Sequence, residues 1–427
     1  MTNTLEVSSL KNKKTNSRSM TAVSVAGVLA FQMVVAAQGA TPPPPDVATA
    51  VYLTDYPDAK CLDGSPGYYY LRRAATGSVN STKWVIHMEG GGWCHDPATC
   101  VSRAHQRLGS SNSSVTGFAD VAEFSSVGCT NKGCGALMLN DPVVNELSYD
   151  WNAVFMRYCD GMSFAGNASA PFVDPATGET IYFRGIEILH ATYASLVANE
   201  HLGDATIALI GGASAGGLAT YFHADVATDL VHAANAAAQK APATVISKPD
   251  SGFWPSDINE RFYSLFTGWF ALQGNVTDGL AKHCKWRATN VTRCLFPEYF
   301  ADEITTPLWP LQSLYDPLQA PMSKIDPNLH GEWLLDNINR TVWQNAAGLQ
   351  RAKEGGIRNG GFVYSCSRHC GGELLTVQGH TAVLAMEQLL TSSGRCGGVD
   401  CVYVDVKPYP CTACCNDPKY PPTSIEL

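Results

Sequence analysis

The 427-residue chain carries 29 Lys and Arg against 38 Asp and Glu, a net charge of −9 that becomes −12 without residues 1–37, which hold Lys11, Lys13, Lys14, Arg18 and one Glu. That sign argues against nucleic acid as a partner and weakly disfavours a densely anionic polymer. With 45% hydrophobic and only 16% charged residues, the chain is also no disordered polyelectrolyte, and the 390 residues after position 37 suffice for one large α/β core.

The four basic residues precede an apolar stretch over 20–37 and the small residues Ala36, Ala37, Gly39 and Ala40, so residues 1–37 read as a signal peptide, with an uncleaved signal anchor as the alternative. No other segment is long and apolar enough to span a bilayer, and residues 416–427 lack the hydrophobic end of a lipid-anchor signal. Residues 38–50, with Pro42, Pro43, Pro44 and Pro45, read as an extended linker, and folding is predicted to begin near Val51 and to run as one domain over 51–427. Residues 84–88 read as a buried strand running into the turn Glu89, Gly90, Gly91, Gly92, and residues 153–158 as another. Between them lies a Ser/Gly/Cys-rich region with no clear period. Residues 185–199 read as an amphipathic helix, 206–210 as a strand, 217–230 as a helix and 244–247 as a further strand ending at Pro249, Asp250, Ser251, Gly252. Residues 253–310, rich in aromatics, read as a cap-like insertion, with a packed surface excursion as the plainer alternative; 361–364 return to strand and 381–390 to helix. Strands alternating with helices imply a largely parallel sheet whose site lies at the carboxyl ends of its strands.

The most informative segment is Gly212, Ala213, Ser214, Ala215, Gly216. In a chain with 38 glycines this pentapeptide can arise by chance, but here a strand precedes it and a helix follows. That context makes it a nucleophile elbow: the serine sits on a crowded strand-to-helix turn that lifts its hydroxyl clear of the sheet. A serine hydroxyl needs a base within reach and a carboxylate to fix the base's tautomer. In folds with such an elbow they follow in the order Ser, acid, His. His369, directly after a strand and between Cys366 and Cys370, which would pin its loop, is favoured over His380, which opens a helix; either taken alone also reads as an ordinary core or surface residue. For the acid, Asp316 falls later in the chain, where the acid of this fold lies, and is favoured over Asp250, whose other reading is an Asx-type turn; spacing does not separate the two. The Gly90, Gly91, Gly92 turn and the N–H of Ala215 are candidate donors to an oxyanion, with a plain glycine loop as the competing reading.

Fifteen cysteines fit an oxidising compartment. Cys94 with Cys100, Cys129 with Cys134, and Cys284 with Cys294 suit local loop closure, which leaves Cys61 and Cys159 to join each other. The odd count leaves one thiol free or in an intermolecular bond, expected among the seven C-terminal cysteines. Cys411, Cys414 and Cys415 with His369 have metal-like spacing, but thiols in such a compartment pair with each other, so no metal is expected. Sequons at Asn80, Asn112, Asn167, Asn275, Asn290 and Asn339 agree with secretion.

Five markers together are highly specific: Cys61-Leu62-Asp63-Gly64-Ser65, Glu89-Gly90-Gly91-Gly92-Trp93-Cys94, Arg157-Tyr158-Cys159-Asp160-Gly161, the elbow continued to Gly217, and Cys294-Leu295-Phe296-Pro297. On these residues the chain resembles the plant pectin acetylesterases and, more distantly, the animal Wnt deacylase Notum, over about residues 61–415. The resemblance implies an α/β-hydrolase-like three-layer α/β/α sandwich, no cofactor, and removal of an acyl group from a carbohydrate oxygen through an acyl-enzyme. It assigns the nucleophile to Ser214, the acid to Asp316, the base to His369 and the oxyanion donors to Gly91, Gly92 and Ala215. The seven-cysteine tail departs from the plant pattern and leaves the disulfide map there open. The resulting expectation is a secreted, monomeric serine carboxylesterase acting on acetylated cell-wall or extracellular polysaccharide, away from membranes unless the leader stays uncleaved. The alternatives are a Notum-like lipid deacylase, with an apolar pocket lined from 253–310, and a catalytically inactive glycan-binding module on a hydrolase fold.

Overall fold

Apolar runs buried almost continuously on both faces build the sheet. In the computed structural model, which describes residues 47–112, 121–123, 135–257, 279–391 and 401–411 together with 263, 264, 266–268, 272 and 273, ten strands form one sheet: β1 (Val47–Tyr52), β2 (Tyr68–Arg72), β3 (Lys83–Met88), β4 (Val121–Glu123), β5 (Asn152–Met156), β6 (Ile207–Ala213), β7 (Thr244–Asp250), β8 (Leu311–Ser313), β9 (Gly361–Tyr364) and β10 (Val402–Val404). Their spatial order is β10-β9-β8-β7-β6-β3-β5-β2-β1-β4. From β10 to β5 every pairing is parallel, and the β2, β1 and β4 edge is antiparallel.

Because side chains alternate across a strand, each central strand supplies both faces. Val85, Phe155, Leu209 and Ile246 pack into one cluster, and Trp84, Ile86, Val154, Ile210 and Val245 into the other. The α-helices described end to end are α1 (Pro97–Ala104), α2 (Gly185–Glu200), α3 (Ala215–Ala237), α4 (Pro327–Ile338), α5 (Ala346–Lys353) and α6 (Ala382–Thr391). Residues of α2 and α3 cover the second face and residues of α6 the first, which gives the three-layer α/β/α arrangement. No described helix is long and apolar enough to cross a membrane.

The fold starts earlier than expected. β1 begins at Val47 rather than near Val51, because Thr49 pairs with Leu71 and Ala48 with Ala122, so the end of the 38–50 segment is sheet rather than linker. The leader 1–37 and the prolines at 42–45 lie outside the described residues.

Disulfides join Cys61 to Cys159, Cys94 to Cys100 and Cys284 to Cys294. The first closes a span of 98 residues, and cross-linking a loop of that length removes chain entropy worth about 4–5 kcal/mol from the unfolded state. Cys366, Cys401 and Cys411 are also disulfide-bonded. Cys129, Cys134, Cys414 and Cys415 lie outside the described residues. The loop around His369 is not pinned from both sides as expected: Cys366 is bonded, but Cys370 is a free thiol. Of the sequon asparagines, Asn112, Asn290 and Asn339 are exposed, Asn80 and Asn167 are half-buried, and Asn275 lies outside the described residues. The Nδ2 of Asn80 already donates to Asp150 at 2.7 Å.

Candidate active site

β6 is hydrogen-bonded on both sides, to β3 and β7, so its end is fixed in space. Ser214 follows directly at φ 59° and ψ −119°, and α3 starts at the next residue. A non-glycine residue in that region costs about 1–3 kcal/mol, and the crowding around it supplies the constraint. A Cβ on Gly216 would strike the Met88 carbonyl, and one on Gly90 would strike the Ala213 carbonyl and lie 3.1 Å from Ser214 Cβ. Glycines therefore let the elbow and the turn after β3 touch. Ser214 is half-buried, and its N–H donates to the Asp250 carbonyl at 2.9 Å.

Asp316 follows β8 and is fully buried. Its Oδ1 accepts the N–H groups of Leu318 at 2.8 Å and Gln319 at 3.2 Å, while Oδ2 lies 2.6 Å from His369 Nδ1. Of the two aspartates and two histidines in contention, these are the pair that meet. His369 lies in the loop after β9, its side chain only 14% exposed and 6.0 Å from the Trp254 ring. Burial opposes the charged imidazole, but the Cys370 thiol beside it and the Asp316 carboxylate outweigh burial and hold its pKa well above the usual histidine value. Burial also raises the Cys370 thiol, so the sulfur is neutral at pH 7 and Asp316 is the partner that counts there. His369 Nε2 is buried and makes no hydrogen bond to Ser214 or any other described residue. The elbow and the base loop are joined through backbone: Cys370 N–H donates to Ser251 Oγ and Gly371 N–H to Asp250 Oδ2, both at 2.9 Å.

The glycine turn is braced from behind. Glu89, 1% exposed, pairs with Arg107 and with Arg157 at 3.1 Å, and accepts the Tyr158 N–H at 3.0 Å. Arg103 donates to the Gly91 carbonyl at 2.9 Å and the Tyr158 hydroxyl to the Gly92 carbonyl at 2.8 Å. In a trans peptide the carbonyl of one residue and the N–H of the next point in opposite directions, so the held Gly91 carbonyl turns the Gly92 N–H the other way. Among the described residues no acceptor is bonded by the N–H groups of Gly91, Gly92 or Ala215. For Ala215 the reason is general, since the first N–H groups of a helix have no intrahelical partner.

Several neighbours of this region escaped the sequence reading. Ser163 and Phe164 are buried at φ 51° and 58°. Ser163 Oγ donates to the Ala215 carbonyl at 2.7 Å and accepts Trp93 Nε1 at 2.8 Å. Asp160 holds this turn by accepting the N–H groups of Met162 and Phe164, and burial pushes its carboxyl up to about 7. The Arg157-to-Gly161 marker pointed to this segment without revealing its role. Trp93 packs on Trp254 at 4.9 Å and on Phe266 at 5.1 Å, and Phe266 on Phe296 at 5.2 Å, so aromatics of the expected cap do reach the glycine turn and the base.

Asp250, the rival acid, is neither an Asx turn nor hydrogen-bonded to His369's ring: it ends β7, buried, with its carboxylate on the Gly371 N–H. His380 lies on the short ladder of Thr376–Val377 with His380–Thr381, its Nδ1 3.1 Å from the Gln378 carbonyl and its ring 5.1 Å from Tyr403. Among the described residues no group of three or more His, Cys, Asp or Glu is arranged to hold a metal ion.

A family model described as Pectinacetylesterase matches residues 45–416. Pectin acetylesterase 5 of Arabidopsis thaliana is 30% identical over 390 residues, which cover 84% of this chain and 82% of that protein. Pectin acetylesterase 11 of the same plant is 30% identical over 340 residues, 75% of this chain and 79% of its own length. A shorter similarity, 30% over 170 residues, joins 39% of this chain to 28% of the palmitoleoyl-protein carboxylesterase NOTUM of Schmidtea mediterranea.

Proposed function

The chain belongs to the pectinacetylesterase family and hydrolyses carboxylic esters, and on that premise we propose that it is a secreted serine esterase that removes acetyl groups from cell-wall or extracellular polysaccharide. The observation that carries the reading is the 2.6 Å contact of His369 Nδ1 with Asp316 Oδ2, in a loop tied to the turn that also holds Ser214. Ser214 Oγ attacks the acetyl carbonyl while His369 Nε2 takes its proton and Asp316 steadies the imidazolium from Nδ1. Negative charge on the former carbonyl oxygen falls to the N–H groups of Gly91, Gly92 and Ala215, and that of Gly92 needs no reorganisation because the Gly91 carbonyl of the same peptide is already bound. Collapse expels the sugar oxygen, which leaves with the proton from His369. Water, activated by the same imidazole, then attacks the acetyl-serine and releases acetate.

The leader at 1–37 and the paired cysteines support secretion, and residues from 47 onward form the single esterase domain. Between short and long acyl groups, the aromatic wall favours the short. Trp254 lies beside His369, and Trp254, Phe266 and Phe296 are each at most 2% exposed and pack ring on ring, so among the described residues these rings offer a fatty chain no open apolar surface.

The test is acetate release from acetylated pectin, xylan and other glycans by the wild type and Ser214→Ala, with fluorophosphonate labelling of both. Labelling and acetate release that both vanish with Ser214 support the reading. A wild type that neither labels nor releases acetate is the binding module instead, and faster cleavage of long-chain than acetyl p-nitrophenyl esters overturns the acetyl preference.

A further inference from the structure

Nucleophile, acid and base come from the ends of β6, β8 and β9, and the strand between the first two, β7, contributes none of them. Its end is nevertheless bonded both to Ser214 and to the loop that carries His369. We propose that Asp250, the last residue of β7, is a positioning residue that sets the separation between Ser214 and His369. This rests on the assignment of those two residues as nucleophile and base.

Asp250 holds both partners at once. Its main-chain carbonyl accepts the N–H of Ser214 at 2.9 Å, and its Oδ2 accepts the N–H of Gly371 at 2.9 Å. Its Oδ1 accepts the hydroxyl of Ser251 at 3.1 Å, and that hydroxyl oxygen accepts the N–H of Cys370 at 2.9 Å. Nucleophile and base loop therefore hang from two adjacent residues that are at most 1% exposed. The base loop needs holding, because Cys370 and Gly371 both have left-handed backbones, φ 61° and 68°, and the first carries a side chain. Their two N–H groups point at the Asp250–Ser251 corner, whose oxygens stabilise that conformation.

A second tie comes from the same face of the same strand. Residues two apart on a strand share a face, and Lys248 donates to Glu373 at 2.5 Å, with both side chains buried. Strand β7 thus clasps the base loop at Gly371 and again at Glu373. Asp250 makes no hydrogen bond to the imidazole of His369 or to the hydroxyl of Ser214, so it acts through the backbone that carries them.

The experiment compares Asp250→Ala, Asp250→Asn, Ser251→Ala, Asp316→Asn and Ser214→Ala in the full-length protein, reading kcat and KM on p-nitrophenyl acetate, fluorophosphonate labelling rate and thermal unfolding. For Asp250→Ala we expect kcat to fall about 100-fold with KM within about two-fold, the cost of misplacing reacting groups by an ångström or so. Asp250→Asn keeps an acceptor for Gly371 and should recover to within about tenfold of wild type, with Ser251→Ala in the same range. An Asp250→Asn as inactive as Asp316→Asn overturns the proposal, because the charge and not the position would then matter, and this comparison decides even if Asp250→Ala does not fold. Wild-type kcat in a folded Asp250→Ala also overturns it, provided that Ser214→Ala is inactive. An active Ser214→Ala instead overturns the assignment of the nucleophile itself.

Discussion

At the elbow, Ser214 is placed by one continuous piece of chain: a strand bonded on both sides, a single strained residue, then a helix whose glycine lies against the Met88 carbonyl. His369 is placed by groups remote in sequence: Asp316 on its ring, Asp250 and Ser251 under its loop, and Trp254 at its edge. The difference teaches where each side chain is vulnerable. Ser214, besides the bond from its N–H to the Asp250 carbonyl, is held by steric exclusion, which no small adjustment relieves. His369 is held by hydrogen bonds, each of which a conservative replacement can partly restore.

The sharpest way to break this comparison is to remove each partner's working atom. Ser214→Ala should lower kcat by about 10⁶, leaving only what binding and the oxyanion donors supply, and Asp316→Asn by about 10⁴, because the imidazole then loses its tautomer but not its place. Steady-state kinetics on p-nitrophenyl acetate measure both. If the two losses were reversed in size, the base and not the serine would be the irreplaceable group.

The same glycine-to-alanine change in the two regions sharpens it. In Gly216→Ala the new methyl meets the Met88 backbone, an overpacking that should cost about 1–3 kcal/mol in denaturant unfolding. In Gly371→Ala it meets only the end of the Arg368 side chain, at 3.5 Å, and the cost is that of φ 68°, about 1 kcal/mol. Equal losses would mean that the elbow is no more tightly packed than the loop.

The smallest effect is in pH. A base must be neutral to take a proton, so kcat/KM should fall as pH drops through the pKa of His369, and that fall should lie above the ordinary value of 6.5. Asp316→Asn should move it downward. The charged imidazole's contribution to stability runs the opposite way. It is complete below the unfolded value and is lost as pH rises through the raised folded pKa, so activity appears where that contribution fades. A wild-type acid limb at or below 6.5 contradicts the ion pair's role.

The elbow was legible because its chemistry is local: five residues, a strand before and a helix after. β8 and β10, three residues each, were not, since no periodicity can show in so short a run. α1 and α4 do announce themselves by Asp96-Pro97 and Asp326-Pro327, capped starts that the apolar pattern alone overlooked. The first residues of β1 read as linker because their partners, Leu71 and Ala122, lie far along the chain.

The order of residues by itself determined the parallel sheet, the strained serine turn, the facing glycines and most of the local cysteine pairs, since each depends on neighbours within a few positions or on the alternation of apolar side chains. Folding in three dimensions alone decided which aspartate meets the imidazole, that Cys370 stays unpaired, and that Asp250 belongs under the base loop. Those outcomes turn on distances between strands whose separation in space bears no fixed relation to their separation in sequence.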